Sequence, residues 1–237
     1  MNGGTFRLVY EDARATFGKV ILLYLTIPLF FLWLSIGYFF PLGGDVVAAI
    51  SGPAYFFISF FSITGFKTMY PVAIGMGSTR TSLLKAYYVV GLASVLIVTF
   101  VLNILQLLLV TFYERWDVAA KILHPAIFIL DEYSFLSYFL LDLLFITIIF
   151  SISFLLFTIY YRLGFMKSIV WLMVLIIIGT LLKYSGLVSF SLFSWITGQD
   201  INGTVLYSSL LFISLVALFI TYPIMRNASL QAKPRKS

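Results

Sequence analysis

The sequence predicts an all-α integral membrane protein with six transmembrane helices, an N-terminal interfacial helix and a broken extracellular segment between spans five and six. Composition is the first observation: 62% of the 237 residues are hydrophobic and only 10% are charged. A soluble domain carries about 25% charged residues. The apolar residues also form long runs, and runs of about 20 residues are what a helix needs to cross a bilayer. Finally, the lysines and arginines lie mostly in the short connections between those runs.

Residues 1–19 form an amphipathic stretch ahead of the first apolar run. Phe6, Val9 and Phe17 share one face at helical spacing, while Arg7 lies on the opposite side. This pattern is typical of a helix that lies in the membrane interface. The alternative is a solvated N-terminal turn.

The six spans follow in order, and Pro28 predicts a kink within the first of them. Their predicted bounds are 20–40, 46–66, 86–113, 135–160, 168–182 and 204–224. The fifth is short for a full crossing, and the aromatic segment 183–203 after it is broken by glycines, which favours short interfacial or re-entrant helices. The remaining segments are a cytoplasmic loop at 67–85 and a basic cytoplasmic tail at 225–237.

The positive charges predict the orientation of these spans. With the N-terminus inside, twelve of the fifteen lysines and arginines lie on the cytoplasmic side and three lie outside. Membrane proteins keep an excess of Lys and Arg in their cytoplasmic loops. We therefore expect both termini in the cytoplasm (N-in/C-in).

Few residues have the chemistry of a catalytic, metal or nucleotide site. Cysteine is absent and His124 is the single histidine, predicted to be a solvated loop residue, whereas a metal site or a triad needs several convergent ligands. The glycines near Gly75 lack the spacing of a phosphate-binding loop and are expected to shape a turn. Because the cations lie beside the spans, we expect no nucleic-acid partner. The chain is predicted not to be an enzyme and to hold no cofactor of its own.

Asp142 is the only acid inside a predicted span. An ionisable group in the hydrocarbon region costs about 2.5–3.5 kcal/mol or more, so it is a candidate functional residue by default. Asp142 is therefore a possible intramembrane polar site. We expect it to make a structural polar contact, facing a water-filled cavity or pairing with an outer-loop lysine; the alternative is a role in proton or ion coupling.

The segment between the second and third spans is the most distinctive connection. It reads KTMYPVAIGMGSTRTSLLK from Lys67 to Lys85, with three cations and no acid. An apolar stretch, glycines, then Thr79-Arg80 and a short amphipathic run resemble the cytoplasmic loop of small permease subunits in the type-2 ATP-binding-cassette (ABC) exporter superfamily. The interfacial helix, the six spans and the broken fifth-to-sixth segment resemble the layout of that family.

The resemblance implies a permease subunit in a bacterial plasma membrane that exports a lipid, peptide or drug-like substrate. ATP and Mg would be bound by a separate ABC ATPase subunit, and a second permease chain, identical or related, would complete the assembly. The loop would be a coupling helix that docks on the ATPase. The residues it implies are Gly75 and Gly77 for the turn, Ser78, Thr79 and Arg80 for the ATPase contact, and Leu83 and Leu84 for helix packing.

Three alternatives stay open from the residues alone. In the first, the cations of the loop only fix the topology of the chain and contact lipid headgroups. The chain would be a stand-alone membrane immunity or sensor protein against a membrane-active peptide. As a third alternative, it would be a secondary carrier that uses Asp142.

Overall fold

A computed structural model describes residues 3–40, 47–122, 124, 133–185 and 203–228. The fold within these ranges consists of six helices, each with a segment long and apolar enough to cross a membrane. They are α1 Gly3–Phe39, α2 Gly52–Gly75, α3 Arg80–Arg115, α4 Phe135–Leu163, α5 Phe165–Tyr184 and α6 Gly203–Arg226. Six apolar helices are therefore confirmed, while the N-in/C-in orientation stays a prediction. Helices suit a bilayer because they satisfy their own backbone hydrogen bonds.

Helix α1 runs without a break through the predicted boundary between an interfacial helix and the first span. Its middle, Arg14–Thr26, is wound as a π-helix, and Pro28 lies in the first turn after it. A proline lacks the backbone N–H of a regular turn, and wider turns accommodate that loss. Val9 and Phe17, on the expected apolar face, are buried against the other helices. That face therefore packs on the bundle.

Helix α2 begins later and ends later than predicted. Pro53 lies in its first turn, where a missing N–H costs little. Helix α2 then continues through Pro71 to Gly75 because Phe66, Tyr70 and Ala73 are buried on one face. The connection to α3 is consequently only residues 76–79, and the loop predicted at 67–85 consists mostly of the ends of two long helices.

A two-residue parallel bridge joins β1, Val47–Ala48, to β2, Lys121–Ile122. It links the approach to α2 with the connection after α3. This contact departs from an entirely helical fold, and it places the connection after α3 beside the start of α2.

An aromatic core holds the middle of the bundle together. Phe61 and Tyr87 stack with their ring centroids 5.4 Å apart, and Phe154 lies 5.0 Å from Tyr87. Gly91 admits Phe150, since a Cβ on Gly91 would lie 2.6 Å from the Phe150 Cζ. In a bilayer such packing is a main source of association between helices. Helix α6 packs along α4.

Helix α5 differs from the others because none of its apolar stretch is buried inside the chain. Ten of its large apolar side chains, among them Trp171 and Ile177, are more than half exposed. The broken segment predicted at 183–203 falls largely at 186–202, outside the described residues, and the tail from 229 onward also lies outside them. The short helices expected there stay a prediction.

Candidate functional site

The turn between α2 and α3 is closed by backbone hydrogen bonds. The N–H groups of Gly77 and Ser78 donate to the carbonyls of Ile74 and Ala73, each at 2.9 Å. Gly77 has φ +80°, a conformation that glycine adopts at helix ends without steric cost. Thr79 caps α3, accepting a hydrogen bond at Oγ1 from the Ser82 N–H at 3.2 Å.

Buried side-chain contacts tie this turn to the rest of the bundle. The Thr5 hydroxyl of α1 donates to the Ser78 hydroxyl at 2.7 Å. The Tyr70 hydroxyl of α2 donates to the Ala228 carbonyl, just after α6, at 3.1 Å, and its ring meets Tyr161 of α4. Four helices therefore meet beneath the turn.

The residues predicted to dock an ATPase divide into two groups. Gly75, Gly77 and Thr79 are exposed and Arg80 is half-buried. The others point inward, and they are Ser78, Leu83 and Leu84, with 8%, 0% and 1% of their surface exposed. The two leucines belong to the first turns of α3 and pack it against the bundle, while the docking role of the loop stays a prediction.

Sequence reasoning missed two apolar side chains on the outside of the turn. Val72 and Met76 are 50% and 60% exposed. They stand four residues apart, a spacing that places side chains next to each other on a helix surface. That spacing was the available signal. These two side chains, Arg80 and the exposed residues of the turn form a surface that we call the tip. Its residues are Val72, Met76, Gly77, Thr79 and Arg80.

A second polar group lies toward the opposite ends of α2 and α3. Asp142 of α4 is fully buried. The Tyr55 hydroxyl of α2 donates to its Oδ1, and the Asn103 Nδ2 of α3 donates to its Oδ2 at 3.0 Å. His124 Nε2 lies 3.0 Å from the same Oδ2. We call these four residues the Asp142 cluster.

The prediction that His124 is a solvated loop residue is wrong. Its side chain is fully buried, and its ring stacks on Tyr138 with the centroids 4.7 Å apart. The bridge at Lys121–Ile122 directs the chain back toward the bundle just before His124. The described partners of Asp142 are a histidine, an amide and a phenol, which form a structural polar contact, while the side chains of the outer-loop lysines lie outside the described residues.

The Asp142 cluster can hold helices together. A buried carboxylate is tolerated when hydrogen bonds and an opposite charge compensate for its lost hydration. Both carboxylate oxygens are engaged here, Oδ1 by Tyr55 and Oδ2 by Asn103, and the His124 imidazole lies 3.0 Å from Oδ2. The cluster joins α2, α3 and α4 with the connection after α3.

Comparison with protein-family models, with curated proteins and with solved structures finds no match to this chain. The geometry of the tip and of the Asp142 cluster therefore carries the functional argument.

Proposed function

We propose that the chain is the membrane permease subunit of an ATP-driven exporter, and that a separate ATPase subunit docks on the tip. The observation that carries the proposal is an exposed apolar and basic surface on a rigid turn. Val72 and Met76 are at least half exposed beside Arg80. Apolar side chains flanked by an arginine are typical of the centre of a protein interface.

The contacts of the tip explain how a movement beneath it would reach the bundle. Thr5 bonds to Ser78, and Leu83 is fully buried, so the turn does not move without α1 and α3. Tyr55 and Met76 stand 21 residues apart on or beside α2, about 32 Å along a helix. A displacement of the tip would therefore be transmitted to the Asp142 cluster.

The exposure of α5 supports a second permease chain in the assembly. None of the apolar stretch of α5 is buried against the rest of the described chain. In the proposed exporter the nucleotide and its magnesium belong to the ATPase subunit, the cargo is a lipid, a peptide or a drug-like molecule, and the tip faces the cytoplasm.

Docking is tested by quantitative co-purification. The tagged chain is recovered from its native membrane, and mass spectrometry identifies a bound ATPase with nucleotide-binding motifs. We expect Met76→Asp and Arg80→Glu each to lower recovery of that ATPase at least about tenfold, as expected when an interface centre loses more than 1.4 kcal/mol. Lys167→Glu is the matched control because it reverses an exposed cation near the start of α5.

All variants must first elute as the wild-type chain does in size-exclusion chromatography. Recovery of the ATPase that is equal in the tip variants and in the Lys167→Glu control would sink the docking proposal.

The His124–Asp142 pair favours a second candidate function, a proton-coupled carrier. Both side chains are fully buried 3.0 Å apart, and buried ionisable pairs mark proton pathways in many membrane proteins. In proteoliposomes without ATP, this candidate requires uptake that follows a pH gradient and that Asp142→Asn abolishes. Transport that needs ATP and a bound ATPase, and that ignores the gradient, excludes it.

A further inference from the structure

A cavity of about 520 Å³ opens beside the Asp142 cluster, between the end of α3 and the start of α4. Small-molecule sites in proteins span about 300–1,000 Å³. Apolar side chains, Val110 and Val118 among them, form part of its wall. The polar part of the lining is made by Gln106, Tyr113, Glu114, Asp117, Tyr133 and Tyr138. Nothing in the proposed docking of an ATPase uses this space.

Two carboxylates stand at the rim of the cavity. Glu114 and Asp117 are both exposed, and Asp117 closes the end of α3 with φ +53°. Arg115, the cation that lies between them in the sequence, is not among the residues that line the cavity. The charged side chains among the described lining residues are therefore both acidic, and three tyrosine rings lie beside them. Aromatic faces attract cations, most strongly where water is excluded.

Polar groups inside the cavity lack partners within the described part of the chain. Gln106 is 5% exposed and lines the cavity, and none of the hydrogen bonds of the described residues involves its side chain. The Tyr133 hydroxyl is buried and has no hydrogen-bond partner in those ranges. Burial and the nearby Glu114 raise the pKa of Tyr133, so the phenol keeps its proton. Buried polar groups are normally satisfied, and a ligand in the cavity would satisfy both.

We propose that this cavity binds an amphiphile with one cationic ammonium or onium head. The head lies between the carboxylates of Glu114 and Asp117 and the tyrosine rings. The apolar part packs on the valines, and the amide of Gln106 and the hydroxyl of Tyr133 contact polar atoms next to the head. An anion of the same size and shape is rejected by the rim.

The test uses the full chain in lipid nanodiscs, with protein-free discs subtracted. The probes are tetraphenylphosphonium and tetraphenylborate, which have nearly the same shape and opposite charge. We expect the cation to bind at least about tenfold tighter than the anion, and the double variant Glu114→Gln, Asp117→Asn to remove that preference. Glu11→Gln is the control because it removes an exposed acid of α1.

Gln106→Leu provides a second measurement if the double variant does not fold. It keeps both rim charges and removes the buried amide, so we expect weaker binding of the cation with its preference over the anion retained. Equal binding of the two probes to the wild-type chain overturns the proposal, and so does unchanged cation binding in the folded double variant.

Competition identifies the source of the cationic head. Dodecyltrimethylammonium carries the ammonium head directly on an alkyl chain. Lysophosphatidylcholine of matched chain length carries the same head as part of a lipid headgroup. Displacement of tetraphenylphosphonium by both supports a lipid headgroup as an occupant, and displacement by the first alone supports a free cationic amphiphile. Displacement by neither contradicts the site. Because no ATPase is present, failure here leaves the docking proposal intact.

Discussion

Asp142 is a buried carboxylate with three polar neighbours. Its carboxylate receives hydrogen bonds from Tyr55 and Asn103 and lies 3.0 Å from His124 Nε2. These partners lie on three segments, and two of the three are the helices α2 and α3. Removing one member of such a group takes a hydrogen-bond partner from the others, and a buried polar group that loses a partner costs more than the contact contributed.

We expect Asp142→Ala to lower the free energy of unfolding by about 1–4 kcal/mol. Asp142→Asn, which keeps an oxygen for Tyr55, is expected to lose less. The thermal midpoint of the detergent-purified chain, followed by size-exclusion chromatography, measures both. Glu11→Ala serves as the control because its contact with Arg14, at 3.7 Å, is solvent-exposed. If Asp142→Ala has the same thermal midpoint as Glu11→Ala, the Asp142 cluster does not stabilise the packing of the helices.

Gly77 is a further residue whose identity the structure explains. Its φ of +80° costs a residue with a Cβ about 1–2 kcal/mol. We therefore expect Gly77→Ala to destabilise the turn and to weaken ATPase recovery. Gly75→Ala is the matched control, because its Cβ would meet nothing within 4 Å and its backbone is helical. Equal effects of the two alanines in thermal unfolding and co-purification would remove the conformational explanation.

At the scale of the helices, close approach depends on where side chains are absent. Gly91 lets the Phe150 ring reach the backbone of α3, with a hypothetical Cβ only 2.6 Å from Cζ. Small residues at helix contacts are the usual means of close packing in a bilayer. A sequence pattern identifies α3 and α4 as spans, but it does not reveal which glycine faces which ring.

We expect Gly91→Ala to destabilise the chain by about 1–3 kcal/mol, because the core must shift to admit the methyl group. Phe150→Leu in the same background should recover part of the loss, since the two positions touch and their effects are not additive. Gly179→Ala on α5 is the control, as its Cβ would meet nothing within 4 Å. Additive losses in thermal unfolding would contradict the contact.

The ends of the helices were predicted less well than their existence. Hydropathy marks where a chain leaves an apolar environment, so it placed the end of the second span at 66. The structure continues α2 to Gly75 and buries Phe66, Tyr70 and Ala73. Protein surface, rather than lipid, covers that turn of the helix. Hydropathy alone does not distinguish a helix turn that is covered by protein from one that is covered by lipid.

For the whole molecule, orientation is the prediction with the widest consequences. The natural chain contains no cysteine, so single cysteines report on one position at a time. We expect Met76→Cys to react with a membrane-impermeant maleimide only from the cytoplasmic side, and Arg115→Cys only from outside. They stand near opposite ends of α3, which has 36 residues and is about 54 Å long.

Mass spectrometry of cells and of inverted vesicles measures the labelling. A cysteine in place of Arg226, expected on the cytoplasmic side, is the control for vesicle sidedness. Labelling of Met76→Cys from outside would reverse the positive-inside assignment and would exclude a cytoplasmic ATPase at the tip.

The amino-acid sequence by itself determined that this chain forms six apolar helices, because apolar runs of about 20 residues cross a bilayer as helices that satisfy their own backbone hydrogen bonds. It also identified Asp142 as the one acid within the predicted spans and Gly77 as part of a turn. Only the tertiary structure decided that Leu83 points inward and that His124 meets Asp142. Those outcomes depend on which helix faces which and on how a connection folds back, and neither is encoded in local hydropathy.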